Sequence, residues 1–71
     1  MPNTSPAPAI LRLPEVRRRT GRSTSSIYAD MQRGNFPRPI KLGAQAVGWL
    51  ETEISDWTSA RIRERDAEAQ S

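Results

Sequence analysis

Residues 13–34 read LPEVRRRTGRSTSSIYADMQRG, and this stretch decides the fold because it contains the signals for two helices. Pro14 suits the first turn of a helix, and Gly21 suits the left-handed position that follows the last turn. Ser23 caps a second helix, which Gly34 stops. The stretch therefore predicts two short helices separated by a tight turn.

The second helix, expected over residues 23–33, has two different faces. Ile27 and Met31 lie four residues apart and form a buried stripe. The other face has small or polar side chains and a single aromatic ring, supplied by Ser25, Tyr28, Ala29 and Gln32. Such a face suits a groove lined with phosphates and base edges. An ordinary solvent-exposed face is the alternative interpretation.

A small hairpin is predicted after the second helix. Pro37 and Pro39 bracket Arg38 and exclude a helix there. Apolar residues then alternate on both sides of a turn over residues 43–46, which predicts two strands with one apolar face within residues 40–49. The apolar residues are Ile40, Leu42, Val47 and Trp49, and the exposed tip carries Lys41, Gly43 and Gln45.

A third helix is expected to start near Glu51, where acidic residues complement the positive end of the helix dipole. Apolar residues recur at near-helical spacing in this segment and should pack under the hairpin. They are Leu50, Ile54, Trp57 and Ile62. Beyond Arg63 the apolar pattern fades, so the helix is expected to fray there.

Together these elements predict a mainly α-helical winged helix-turn-helix, with three helices and a small β-hairpin as the wing. The domain is expected over residues 10–63. Residues 1–9 contain three of the six prolines and no charged side chain, which predicts a disordered N-terminal arm. Residues 64–71 are expected to form a fraying C-terminal tail.

Charge is distributed unevenly along the 71 residues, whose formal net charge is +3. Residues 12–41 contain eight basic and two acidic side chains, a net charge of +6, whereas residues 51–71 contain three basic and six acidic ones, a net charge of −3. A small domain with one strongly basic half favours a polyanionic partner. A solvated charged surface is the alternative.

Composition excludes several classes of protein. The chain has no cysteine and no histidine, so a disulfide scaffold, a zinc module and an imidazole base are all excluded. Its carboxylates lie mainly on one exposed helix, and it has no glycine-rich phosphate loop, so we expect neither an enzyme nor a cofactor. Without a secretion signal or a run of about 18 apolar residues, the chain is expected in the cytoplasm and off membranes.

An ordered series of short motifs makes the chain resemble the AlpA family. These are phage- and prophage-encoded transcriptional regulators, related to phage excisionases and to the DNA-binding head of MerR regulators. The resemblance covers about residues 10–63. The residues that carry it are Leu11-Arg12-Leu13-Pro14-Glu15-Val16, Thr20-Gly21, Ser23, Ser25-Ser26-Ile27-Tyr28, Gly34, Phe36-Pro37, Pro39, Lys41-Leu42-Gly43, Ala46-Val47-Gly48-Trp49, Glu53-Ile54 and Trp57.

The resemblance implies that double-stranded DNA is the partner. The helix from Ser23 would lie in the major groove, with Tyr28 and the helix N-terminus on phosphate, and the wing would lie on the adjacent backbone or in the minor groove. The chain departs from the family pattern at Thr24 and Gln45, where relatives commonly have arginine. Arg22, often an apolar position in relatives, would restore one contact.

The expected DNA-binding residues come from the first two helices and the wing. They are Arg17, Arg18, Arg19, Arg22, Ser23, Thr24, Ser25, Ser26, Tyr28, Gln32, Arg38, Lys41 and Gln45. Arg33 lies at a helix C-terminus, where serving the helix dipole is an equally good interpretation. Phe36, Trp49 and Trp57 are expected in the core.

Three functions fit this sequence. The first is a sequence-specific regulator of a phage or prophage-like element. The second is an excisionase that bends attachment-site DNA and recruits integrase, and the third is a protein-interaction module of the anti-repressor type, which would use the acidic helix. Integrase, or further copies of the chain on neighbouring sites, are the additional partners expected, and no small-molecule ligand is.

Overall fold

A computed structural model describes residues 9–70 and contains three helices and a three-stranded antiparallel sheet. In chain order the elements are β1 (Ile10–Leu11), α1 (Leu13–Thr20), α2 (Thr24–Gln32), β2 (Ile40–Lys41), β3 (Val47–Leu50) and α3 (Glu51–Gln70). The architecture is mainly helical with a small β-hairpin, which confirms the predicted fold class. No helix of the described chain is both long and apolar enough to cross a bilayer.

The two helices of the helix-turn-helix end as their sequence predicts. Gly21 has a φ of 71°, and its N–H donates to the carbonyl of Arg17 at 2.8 Å, which closes α1. Ser23 caps α2 by accepting a hydrogen bond from the N–H of Ser26 at 3.2 Å. Gly34, with a φ of 78°, follows the end of α2. Glycine adopts this left-handed backbone without the steric cost that other residues have.

The core lies between α1, α2, α3 and the inner face of the sheet. Its buried residues are Leu11, Val16, Ile27, Phe36, Trp49 and Ile54. Trp49 is fully buried, and its indole N–H donates to the carbonyl of Pro37 at 3.0 Å. Trp57 is half-buried and meets the ring of Phe36 edge to face at 5.0 Å. The expected core positions of Phe36 and Trp49 are therefore confirmed, while Trp57 packs against the core from its edge.

The register of the sheet differs from the expected hairpin with a single apolar face. Ile40 pairs with Gly48, and Lys41 pairs with Val47. Because paired residues of an antiparallel ladder share a face, Ile40 lies on the face opposite to Trp49. The expectation of one apolar face was wrong, since Ile40 and its neighbour at position 42 are exposed on the outer face.

Strand β1 has no counterpart in the sequence-based expectations. It pairs with β3 through Ile10 opposite Leu50 and Leu11 opposite Trp49, which makes β3 the central strand. Leu50, expected in the third helix, therefore belongs to the sheet. The backbone N–H of Glu51 donates to the carbonyl of Ala9 at 2.9 Å. Residues 1–8 of the expected arm lie outside the described residues.

Helix α3 continues past Arg63 to Gln70, and the fraying expected over residues 64–71 stays a prediction. All side chains from 61 to 69 are exposed, which explains why the apolar pattern ends before the helix does. Alanine, arginine and glutamate have high helix propensity and continue a helix without a buried face. Local ion pairs accompany them, such as the 2.6 Å contact between Arg61 and Glu64.

Candidate nucleic-acid interface

Helix α2 presents one exposed polar face and one buried face. Ser25, Tyr28 and Gln32 are exposed, whereas Ile27 is fully buried and Asp30 nearly so. The exposed residues are three and four positions apart, so they lie on one side of the helix. The structure thus brings together three of the four residues predicted on the outer face, while the fourth, Ala29, is half-buried.

The start of α2 uses two of its hydroxyl groups within the fold. Ser23 Oγ accepts from the N–H of Ser26 and also donates to Ser26 Oγ at 3.0 Å. Thr24 follows at the first helical position and is half-buried. Within this turn, Ser25 is the exposed hydroxyl side chain that does not serve as a cap.

The C-terminal half of the same face borders a depression of about 350 Å³. Its lining residues are Tyr28, Met31, Gln32, Arg38 and Pro39. Sequence analysis assigned Arg38 to the flank of the wing, but the structure brings it beside α2. Met31 was expected only in the core, and its place at the edge of this depression depends on the path of the loop that follows α2.

Two arginines of α1 are held by carboxylates. Glu15 accepts hydrogen bonds from Arg18 Nε at 3.0 Å and from Arg19 Nε at 2.7 Å. Arg19 Nη1 also donates to Glu51 at 2.7 Å. The hydrogen bonds from Arg18 and Arg19 lower the pKa of Glu15 from 4.5 to about 2, and they raise the pKa of both arginines. A phosphate would have to compete with these carboxylates for both guanidinium groups.

Arg22 has a place in the fold itself. Its Nη2 lies 2.5 Å from Oδ2 of Asp30, and its guanidinium carbon lies 6.0 Å from the centre of the Trp57 ring. Its Nε is buried and has no hydrogen-bond partner among residues 9–70. Arg22 therefore ties the turn before α2 to both α2 and α3.

Five basic side chains make no ion pair with any other described residue. They are Arg12, Arg17, Arg38, Lys41 and Arg63, and all of them are exposed. Arg17 borders a depression of about 540 Å³ that also includes Arg18 and Ser23, at the junction of α1 and α2. Arg12 precedes α1 and was not among the DNA-binding residues expected from the sequence, although it belongs to the basic segment and to the family motif.

The wing has a tight tip. The N–H groups of Leu42 and Gly43 donate to the carbonyl of Ala46 at 2.8 and 3.2 Å. Lys41 and Gln45 are exposed on either side of this turn. The hairpin thus presents one cation and one amide near its end.

A metal centre would require several ligating side chains close together within residues 9–70. No three of the acidic side chains there are arranged to hold a metal ion. The described residues instead form a polar face on α2, and near each end of this helix lies a cation that makes no ion pair with them. Such a surface is suited to binding a polyanion.

Comparison with known proteins places this arrangement in a family. Residues 9–62 match the family described as "Prophage CP4-57 regulatory protein (AlpA)". The chain belongs to the AlpA family. It is 42% identical over 55 residues to an uncharacterized protein, ORF88, of Enterobacteria phage P4, and that match spans 78% of this chain and 62% of the relative.

A second relative is known by function. The chain is 37% identical over 67 residues to the "DNA-binding transcriptional activator AlpA" of Escherichia coli K12, across 86% of this chain and 96% of the relative. The family resemblance expected from the sequence motifs is therefore confirmed.

Proposed function

We propose that this AlpA-family chain is a DNA-binding transcriptional regulator of a phage or prophage-like element, acting in the cytoplasm without a catalytic step. The observation that supports it best is the exposed face of α2, formed by Ser25, Tyr28 and Gln32, with an unpaired cation on either side. Arg17 lies near the start of this helix, and Arg38 lies near its end. The name of the Escherichia coli relative supports the same function.

In this proposal α2 enters the major groove and the wing over residues 40–49 follows the adjacent backbone or minor groove. Polar side chains on α2 contact base edges, and Arg17, Arg38 and Lys41 contact phosphate or bases. Because these three groups make no ion pair with a carboxylate of residues 9–70, they can bind DNA without first breaking one. The acidic first turns of α3 face away from the DNA.

Salt dependence tests the proposal directly. We expect binding to duplexes that tile the chain's own genomic neighbourhood to weaken with salt, with a slope of about −3.6 to −5.4 in log K against log salt, because about four to six phosphates are neutralised. Arg17→Ala should reduce the magnitude of that slope by about 0.9. The measurement is a fluorescence anisotropy titration at several salt concentrations.

Arg63→Ala is the matched control for Arg17→Ala. Arg63 is also an exposed arginine without an ion pair among the described residues, but it lies on α3. Its replacement should leave the slope unchanged. A slope near zero for the unmodified chain would refute DNA binding, and equal effects of the two variants would refute the assigned surface.

A footprinting experiment distinguishes two functions that would use the same contacts, because they differ in which DNA segment is protected. Protection at a promoter supports a regulator, and protection within an attachment site, with bending, supports an excisionase. One module buries only about 600–1,000 Å² on DNA, so further copies on neighbouring sites are part of the proposal.

A further inference from the structure

The depression beside the C-terminal half of α2 combines an apolar interior with a polar rim. Met31, Pro39 and the ring of Tyr28 supply apolar surface, while Gln32 and Arg38 supply hydrogen-bonding groups. Tyr28 is 40% exposed, so its ring is open to a ligand.

We propose that this depression reads the 5-methyl group of a thymine that stands next to a guanine in the major groove. The inference rests on the proposed function and adds which base pairs α2 selects. Thymine carries an apolar group, its methyl, on the major-groove edge, and that methyl matches the surface of Tyr28, Met31 and Pro39.

Gln32 extends the match to the other base of the same pair. Its amide offers both a donor and an acceptor, which is the combination that adenine presents through N7 and the N6 amino group. A thymine–adenine pair therefore satisfies the apolar interior and the amide at once. A methylated cytosine would satisfy the apolar interior alone.

Arg38 is the specificity-determining residue for the neighbouring guanine. It is exposed and makes no ion pair with any described residue, so its guanidinium group is free to donate to O6 and N7 of guanine. Arg33, at the same end of α2, lies 3.4 Å from the carboxylate of Asp30 instead. Of the two arginines beside this end of the helix, Arg38 is the one available for a base.

The backbone around Arg38 is restrained before any DNA arrives. Pro37 and Pro39 fix φ on both sides of it. The carbonyl of Pro37 also accepts the indole N–H of the fully buried Trp49, which anchors this loop to the core. Restraint of this kind lowers the backbone entropy that is lost when the loop is ordered at an interface.

The first test removes only the methyl group. A random-sequence duplex pool is enriched on the full chain, and each thymine of a selected duplex is then replaced, one at a time, by deoxyuridine. At one position we expect binding to weaken about fourfold, as for the loss of one methyl-sized apolar contact. Tyr28→Ala should abolish the difference between thymine and uracil at that position while keeping salt-dependent binding.

The second test removes one acceptor from the adjacent guanine. Substitution by 7-deazaguanine should weaken binding of the unmodified chain about tenfold, because half of a bidentate pair is lost. Arg38→Ala should be insensitive to this change, whereas the matched control Arg33→Ala should respond like the unmodified chain. Circular dichroism of each variant checks that it is folded.

The outcomes separate this inference from the proposed function. Salt-dependent binding that is indifferent to uracil at every position overturns the thymine reading and leaves DNA binding intact. Equal sensitivity to 7-deazaguanine in the unmodified chain and in Arg38→Ala overturns the role of Arg38. Failure to enrich any duplex refutes the proposed function and this inference together.

Discussion

Asp30 is the buried charged residue of the described chain, with 8% of its surface exposed. Its Oδ2 lies 2.5 Å from Nη2 of Arg22, and its Oδ1 lies 3.4 Å from Nη1 of Arg33. Asp30→Asn keeps the shape but removes the charge opposite Arg22, whose Nε already lacks a described partner. We expect the free energy of unfolding to fall by about 1–3 kcal/mol, the usual cost of leaving a buried polar group unsatisfied. Urea denaturation measures it.

Arg33→Ala is the control for this substitution. The Arg33 side chain is 69% exposed, and exposed pairs contribute about 0–1 kcal/mol. If the two variants lost equal stability, the contact between Arg22 and Asp30 would have no special role in the fold.

The outer face of α2 and the arginines show how far the candidate interface could be predicted from the sequence. Helical spacing sufficed to place Tyr28 and Gln32 on the outer face, because the period of a helix is a local property. The partners of the arginines depend on tertiary contacts. Nothing local distinguishes Arg22, which packs against α2 and α3, from Arg17, which makes no ion pair with any residue that the structure describes.

Among the secondary-structure elements, the sheet depends on Gly48, because its lack of a side chain lets neighbouring residues pack closely over it. A Cβ there would overlap Cγ2 of Ile10 and lie 3.0 Å from Cδ1 of Leu42 and 3.2 Å from the carbonyl of Leu11. We expect Gly48→Ala to lower the free energy of unfolding by about 1–3 kcal/mol, because β1 must shift to relieve the overlap. Thermal denaturation followed by circular dichroism measures the loss.

Gly43→Ala supplies the comparison within the same hairpin. Its Cβ would meet only Cβ of Ala46, at an ordinary distance of 4.0 Å. Stability should change by less than about 0.5 kcal/mol. If the Gly48→Ala and Gly43→Ala variants had the same melting temperature, β1 would not lie over Gly48.

The helix ends were predictable because their signals are local. The pairing of β1 with β3 was not predictable from the sequence. Gly21 and Ser23 act through hydrogen bonds within a few residues of themselves. Strand β1 is only two residues long, and it pairs with residues almost forty positions later, so no periodicity reveals it. Gly48 could not be identified as a packing requirement until Ile10 was placed above it.

At the scale of the whole molecule, the described chain measures 47 × 35 × 19 Å, and α3 with its 20 residues spans roughly 30 Å of that length. Its first half packs through Ile54 and Trp57, while every side chain from 61 to 69 is exposed. The basic groups proposed to meet DNA lie within residues 12–41. Stability and DNA affinity should therefore both depend little on the last turns of this helix.

Removal of residues 64–71 tests this division. We expect the free energy of unfolding to change by less than about 1 kcal/mol, since surface groups contribute little. The slope of DNA affinity against salt should be unchanged. The contrasting variant lacks all residues from 57 onward. It loses the edge-to-face contact between the rings of Trp57 and Phe36, and also the 2.8 Å hydrogen bond from the Trp57 indole N–H to the carbonyl of Asn35. We expect this variant not to fold. Loss of DNA binding by the shorter truncation alone would instead assign the exposed end of α3 to an interface between copies on DNA.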